Sequence, residues 1–272
     1  MLLMDAGCGP DELRWIDRGD AAAIPFQRRP GEARKALEGK LEGADVAVLP
    51  VQGLRKRLLA ADMDSTMIEV ECIDELADYA GRKAEVAAVT ERAMRGELDF
   101  EAALEARVAL LAGLDEAAID RCREERVTLT RGARTLVRTM RAHGAWTLLV
   151  SGGFTRFASP VAEAIGFDAS AANRLEIQEG RLSGRVLKPI LGAEGKKRAM
   201  LEAAAARGLP REALLAVGDG ANDIAMIEAA GMGVGYRAKP ALAAAADARV
   251  EANDLTALLY MQGYSRRDWC ED

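Results

Sequence analysis

The feature that most limits what this chain can fold into is a four-residue apolar run, Leu58-Leu59-Ala60-Ala61, which follows Arg55-Lys56-Arg57 and ends on Asp62-Met63-Asp64. A run without polar alternation suits a strand covered on both faces, as in a parallel sheet. Sheets of that kind bind ligands where their strands end. In extended chain, residues two apart share a side, so Asp62 and Asp64 are expected to face one space together. Two carboxylates so placed repel each other and attract a hard divalent cation such as Mg²⁺, whose preferred ligands are oxygens. Alone, the pattern fits a solvated turn or a helix cap equally well, so the rest of the chain has to decide.

Two later runs repeat the arrangement. Trp146-Thr147-Leu148-Leu149-Val150 ends on Ser151-Gly152-Gly153, and Leu214-Leu215-Ala216-Val217 ends on Gly218-Asp219-Gly220-Ala221-Asn222-Asp223. Period and composition predict helices over 132–143, 154–165 (bent near Pro160), 196–207 and 224–230, and a hairpin over 175–186 turning at Glu179-Gly180. The Ala-rich segments 199–206 and 241–248 read as helices by propensity. This strand-helix alternation points to an α/β fold built on a doubly wound, Rossmann-like parallel sheet.

Between the first strand and the second, four short helices are expected over 72–80, 84–95, 100–111 and 116–126. Gly81, Gly96 and Gly113 punctuate them, with Asp99 and Asp115 as N-caps. They describe a helical bundle inserted at a strand's C-terminal end, where it would cap the site. Residues 1–55 look different: 13–16 and 46–51 are strand-like and a helix starts at Pro30, giving a small α+β segment without a catalytic pattern. The expected division is therefore 1–55, a core from 56–68 and 132–272, and a cap over 69–131.

A net charge of −6 argues against an electrostatic nucleic-acid or membrane-surface partner. No apolar run approaches a membrane span, and Met1-Leu2-Leu3-Met4-Asp5 lacks the features of a secretory signal, so the chain is expected in the cytoplasm. There Cys8, Cys72, Cys122 and Cys270 are expected as free thiols, the middle two as core residues. The single histidine, His143, reads as a helix C-terminal residue, which leaves no material for a histidine metal cage.

All three polar loops should emerge on one edge of the sheet. Asp219 and Asp223 can then approach the same cation as Asp62, Gly152, Gly153 and Gly220 let backbone N–H groups reach an anion, and Lys196 supplies positive charge. Each feature has an ordinary structural explanation, but their joint presence describes a site for Mg²⁺-assisted phosphoryl transfer. A Walker-type loop fits poorly, since Ile190 stands where its first glycine should be and Lys197 where its Ser/Thr should be.

The segments Ala61-Asp62-Met63-Asp64-Ser65-Thr66-Met67, Val150-Ser151-Gly152-Gly153-Phe154 and Val217-Gly218-Asp219-Gly220-Ala221-Asn222-Asp223, with Lys196 between the last two, resemble the haloacid dehalogenase superfamily. From about Arg57 onward, including Arg92-Ala93-Met94-Arg95-Gly96-Glu97-Leu98-Asp99-Phe100 and Leu258-Leu259-Tyr260-Met261-Gln262-Gly263-Tyr264, the chain is similar to the phosphoserine phosphatase family within it. That resemblance implies Asp62 as nucleophile and Asp64 as acid and base. It implies Mg²⁺ held by the Asp62 carboxylate, the Asp64 carbonyl and Asp219 with Asp223 in support, and phosphoryl oxygens held by Ser151, Gly152 and Lys196 with Asn222 nearby. It further implies Glu71 for the ammonium and Arg107 for the carboxylate of L-phosphoserine, with Met94 and Phe100 closing the pocket. Phosphoryl transfer to another alcohol such as homoserine, or action on another small phosphomonoester, is the alternative. A phosphate-binding protein without activity is the reading from another class, and it gives no reason for Asp64. The resemblance fades over the N-terminal segment, for which packing and homodimer formation both stay open.

Overall fold

The computed structural model describes residues 1–270, with the side chain of Met94 outside that description. The chain starts with α1 (Leu2–Asp5), β1 (Arg14–Asp17), β2 (Ala21–Ala23) and α2 (Pro30–Leu37). β1 and β2 pair antiparallel, and Leu3, Cys8 and Ala33 form a small core of their own. The strand expected over 46–51 does not form: Ala47 alone makes an isolated bridge to Ala248. Pro50 has no N–H to give a ladder and Val51 is 75% exposed, so although Ala47, Val48 and Leu49 pack against the cores the pairing does not extend beyond the bridge at Ala47.

β3 (Leu58–Ala61) then leads through a turn into α3 (Cys72–Tyr79), α4 (Lys83–Met94), α5 (Phe100–Ala109) and α6 (Ala117–Arg126). The order continues with α7 (Ala133–Ala142), β4 (Trp146–Phe154), α8 (Thr155–Ile165), β5 (Ala169–Gln178), β6 (Arg181–Leu187), α9 (Ala193–Ala205) and β7 (Leu214–Gly218). It closes with α10 (Ile224–Ala229), β8 (Met232–Tyr236), α11 (Pro240–Ala245), β9 (Ala248–Val250) and α12 (Ala257–Met261).

Among the described residues the main sheet has seven strands in the order β6-β5-β4-β3-β7-β8-β9, with β3 near its centre. β3 pairs parallel with both β4 and β7, while β6 alone runs antiparallel. All four residues of β3 are fully buried, and alternate side chains enter different cores. Leu58 and Ala60 pack with Met200, Met226 and Leu242 from α9, α10 and α11. Leu59 and Ala61 pack with Val137, Phe157 and Leu258 from α7, α8 and α12. Each buried leucine contributes about 1.5–3 kcal/mol of transfer free energy, which is why the run has no polar position.

Several boundaries differ from expectation for visible reasons. β4 continues through Ser151-Gly152-Gly153 to Phe154, with a register irregularity after Val150. The Ala-rich stretch 241–248 is helical only to Ala245, and Ala248 belongs to β9, where pairing with Val234 overrides propensity. β8 was not anticipated because Met232-Gly233-Val234-Gly235-Tyr236 contains two glycines, residues depleted in strands. Gly233 has to be glycine here, because a Cβ would lie 2.5 Å from Ile227 Cγ2 of the adjacent helix.

Helices α3 to α6 lie where the insertion was expected. The Asp99 carboxylate accepts the Ala102 N–H (2.8 Å) and Asp115 accepts that of Ala117 (2.9 Å), so both act at helix starts. Leu76, Leu104, Val108, Ile119 and Cys122 join their apolar faces to the core on the α7 and α8 side. The chain leaves and re-enters the sheet region side by side: Ile68 bridges Leu129 antiparallel, the Glu69 N–H donates to the Thr128 carbonyl (3.0 Å) and the Thr130 N–H to that of Met67 (3.0 Å). Among the described residues no helix is long and apolar enough to cross a membrane.

Candidate active site

At the C-terminal end of β3, the Asp62 N–H is held by the Val217 carbonyl of β7 (3.0 Å) and its carboxylate accepts the Met63 N–H (2.8 Å). The chain does not continue extended, so Asp64 is not aimed by strand alternation as expected. Met63–Met67 close a wide turn in which the Ile68 N–H reaches the Met63 carbonyl, and Ser65 takes φ 55°, a left-handed conformation uncommon for a residue with a side chain. The turn sends the two carboxylates to different partners. Asp64 accepts the Cys72 N–H on one oxygen (2.9 Å) and the Ser151 hydroxyl on the other (3.3 Å), while the Ser151 oxygen accepts the Gly153 N–H (2.8 Å).

Asp62 turns toward Lys196. This lysine is fully buried, and its Nζ lies 2.6 Å from Asp62 Oδ1 and 2.8 Å from Asp223 Oδ1. Burial opposes the Lys196 charge, but the Asp223 and Asp62 carboxylates outweigh it and hold the ammonium above its ordinary range. One ammonium cannot neutralise two buried carboxylates. Burial, reinforced by the Asp223 charge, therefore lifts the Asp62 carboxyl well above the usual carboxylate range despite Lys196. Burial also lifts Asp64, only partly offset by the Cys72 N–H, so it can carry a proton at a higher pH than an ordinary carboxyl.

Asp219 and Asp223 follow β7 in the turn that opens α10. Gly218 has no room for a side chain, since a Cβ would overlap the Asp223 carboxylate; this close approach lets Asp223 fold back under the strand end and accept the Gly220 N–H (3.3 Å). Oxygens of Asp62, Asp219 and Asp223 all lie within 4.8 Å of one another, and all three residues are buried. Three buried carboxylates converging with an all-oxygen donor set fit a hard divalent cation. The Asp64 carboxylate, engaged with Cys72 and Ser151, is outside this trio among the described residues.

The groups expected to select a substrate lie above this floor. Glu71 directly precedes α3, accepts the Ser65 hydroxyl (2.9 Å), and is raised by burial and by the Asp64 charge. Arg107 of α5 donates from Nε to the Ala103 carbonyl (3.3 Å); burial lowers its pKa, opposed by the charges of Asp74, Glu71 and Asp64. Phe100, at the start of α5, lays its ring on the β4 loop: a Cβ at Gly152 or at Gly192 would stand 3.1 Å from ring carbons. The Asn222 Oδ1 sits against Gly220. Met94, the remaining expected wall, has its side chain outside the described residues.

Two residues here were not anticipated. Asn173 of β5 donates to the carbonyls of Gly152 (2.8 Å) and Leu191 (3.2 Å) and accepts the Leu191 N–H (2.6 Å), pinning the glycine loop from below. Lys239 follows β8 and reaches Asp219 Oδ2 at 3.0 Å and Glu71 Oε1 at 3.9 Å. Its signal was a lysine just past a strand end and just before Pro240, invisible while β8 itself was unread.

Comparison with known proteins places this geometry in context. Residues 59–228 match the family model for haloacid dehalogenase-like hydrolases. The chain is 43% identical to a phosphoserine phosphatase of Streptomyces coelicolor, over 98% of this chain and 66% of that protein. It is 47% identical to a phosphoserine phosphatase of Mycobacterium tuberculosis, over 78% of this chain and 51% of that one. The chain thus spans one half to two thirds of these relatives' length. Among solved structures, a phospho-aspartyl intermediate analogue of phosphoserine phosphatase superposes with a TM-score of 0.71 at 37% identity, over 76% of this chain and 98% of that chain.

Proposed function

Because the chain belongs to the haloacid dehalogenase-like hydrolases, we propose that it is a cytoplasmic phosphatase that hydrolyses L-phosphoserine to L-serine and phosphate, the last step of serine synthesis. The observation that carries the reading is the division of labour between Asp62 and Asp64. One carboxylate is paired with a buried ammonium 2.6 Å away, and the other is raised by burial beside Ser151. The solved phospho-aspartyl intermediate analogue, similar over most of its length, supports an aspartate as the group that takes the phosphoryl.

In this reading an Asp62 oxygen attacks phosphorus, the seryl oxygen leaves with the Asp64 proton, and an aspartyl-phosphate remains. Asp64, now ionised, takes a proton from water as that water attacks phosphorus, which frees Asp62 and phosphate. The Ser151 hydroxyl, the Gly152 N–H and Lys196 hold the phosphoryl oxygens, with Asn222 beside them. A divalent cation, which we assign as Mg²⁺, would be held by Asp62, Asp219, Asp223 and the Asp64 carbonyl and would neutralise charge on the phosphoryl group. Glu71 binds the substrate ammonium and Arg107 its carboxylate, while Phe100 closes the pocket and excludes water. In this scheme 69–131 acts as cap, 56–68 with 132–272 as core, and 1–55 as an accessory segment through which two copies could associate.

The test is Mg²⁺-dependent phosphate release from L-phosphoserine, compared as kcat/KM with phosphoethanolamine and phosphothreonine, with and without homoserine. A preference for phosphoserine with stoichiometric free phosphate is expected. Consumption of phosphoserine without matching phosphate when homoserine is present would replace hydrolysis by transfer, and no turnover of any of them would overturn the reading.

A further inference from the structure

Lys239 stands between the two places where the proposed reaction needs a cation. Its backbone N–H donates to the Asp219 carbonyl (2.8 Å), which fixes the residue beside the β7 loop. Its Nζ lies 3.0 Å from Asp219 Oδ2, a member of the carboxylate trio, and 3.9 Å from Glu71 Oε1, the acid proposed for the substrate ammonium. The anchors differ in depth: the Asp219 side chain is 8% exposed, that of Glu71 42% and that of Lys239 61%. A primary ammonium beside Glu71 is the same chemical group that phosphoserine would bring there. A lysine ammonium is a cation at neutral pH by its ordinary chemistry.

We propose that Lys239 is a displaceable counter-ion that holds Asp219 and Glu71 in the unliganded enzyme and competes with both incoming cations. A lysine suits this because its charge sits on a flexible four-carbon stem. Arg237, at φ 43°, turns the chain after β8, and Pro240 starts α11, so the backbone of Lys239 is fixed while its head group can leave. Buried Lys196 cannot act in this way, since it is enclosed between Asp62 and Asp223. Displacement of Lys239 frees Asp219 for the metal and Glu71 for the substrate together, so occupation of one place favours occupation of the other.

The inference rests on the proposed function for its substrate half and on the carboxylate trio alone for its metal half, so the two are tested separately. Lys239→Met keeps the stem and removes the charge at an exposed position; Lys239→Arg keeps the charge. Mn²⁺ binding to the substrate-free protein, read by electron paramagnetic resonance, should become about three- to ten-fold tighter in Lys239→Met and stay near wild type in Lys239→Arg. The ratio of KM for 3-phospholactate, which carries a hydroxyl in place of the amino group, to KM for phosphoserine should rise in Lys239→Met and not in Lys239→Arg. Unchanged or weaker Mn²⁺ binding in Lys239→Met would overturn the proposal, as would equal effects of the two substitutions. Absence of phosphoserine turnover in the wild type would defeat the substrate reading while the Mn²⁺ result still decides the metal half.

Discussion

Replacing Lys196 by Met tests the electrostatics at the heart of the site. Lys196 is fully buried, and its Nζ lies within 2.8 Å of two carboxylates that are themselves at most 5% exposed. Methionine fills a similar volume, so the packing loss is small and the change isolates the charge. An exposed ion pair would be worth less than about 1 kcal/mol. Removing one partner of a buried pair leaves uncompensated charge and costs about 3–5 kcal/mol. The predicted loss in the metal-free protein at neutral pH is therefore about 3–5 kcal/mol by urea titration, or about 10 °C in Tm. The sign of the pH dependence follows from Asp62, whose folded-state pKa is already raised and rises further without Lys196. A carboxyl raised on folding binds its proton more tightly in the native state, so its contribution is greatest below the unfolded carboxylate range and is lost as pH rises through the folded pKa. The deficit of the variant should accordingly shrink between pH 7.5 and pH 5, and Mg²⁺ should restore more stability to it than to the wild type. A loss below about 1 kcal/mol, or one that does not change with pH, would refute the view that Lys196 offsets the carboxylate charge.

Asp62→Asn should abolish phosphate release from phosphoserine while leaving the circular dichroism spectrum unchanged, and a near-normal rate would remove the nucleophile assignment. Arg107→Ala should raise KM for phosphoserine about ten- to one hundred-fold, and far less for phosphoethanolamine, which has no carboxylate to lose. Gly152→Val should collide with the Phe100 ring, whose nearest carbon would already be 3.1 Å from a Cβ, and should lower kcat/KM with little loss of Tm; Phe100→Ala in the same chain should recover part of it.

What could be read from the chain alone follows the physics of each element. Leu58 to Ala61 and Leu214 to Val217 are covered on both faces, so burial writes itself into every residue, and the strands with the loops after them were legible. β8 is not, because two of its five residues are glycines set by close approach rather than by strand propensity, Gly233 against Ile227 and Gly235 against Ala238. Lys239 was missed along with it. The run 46–51 misleads in the opposite direction, since its valines and leucine look strand-like while Pro50 and the exposure of Val51 limit its pairing to the single bridge at Ala47. Asp62 and Asp64 were identified as a pair, but for an incomplete reason. Strand alternation suggested a shared side, whereas the turn through Ser65 separates them, one toward Lys196 and one toward Ser151. The wide turn depends on backbone hydrogen bonds from Ile68 to Met63 and on a left-handed residue that no composition rule marks.

The paired crossing at Ile68 and Leu129 has a modular consequence. Antiparallel neighbours stand about 5 Å apart, so the chain between them leaves and returns through a doorway one bridge wide, with a second attachment to the sheet where Asp115 bridges Arg181 of β6. Sixty residues can be lengthened, shortened or exchanged there without changing the distance that the flanking chain must span, because the jambs are tied to each other. Glu71, Phe100 and Arg107 lie inside the doorway, and Asp62, Lys196, Asp219 and Asp223 lie outside it. Such a layout would let selection retune the proposed substrate contacts by rewriting one contiguous stretch of gene, while the proposed phosphoryl-handling groups stay as they are.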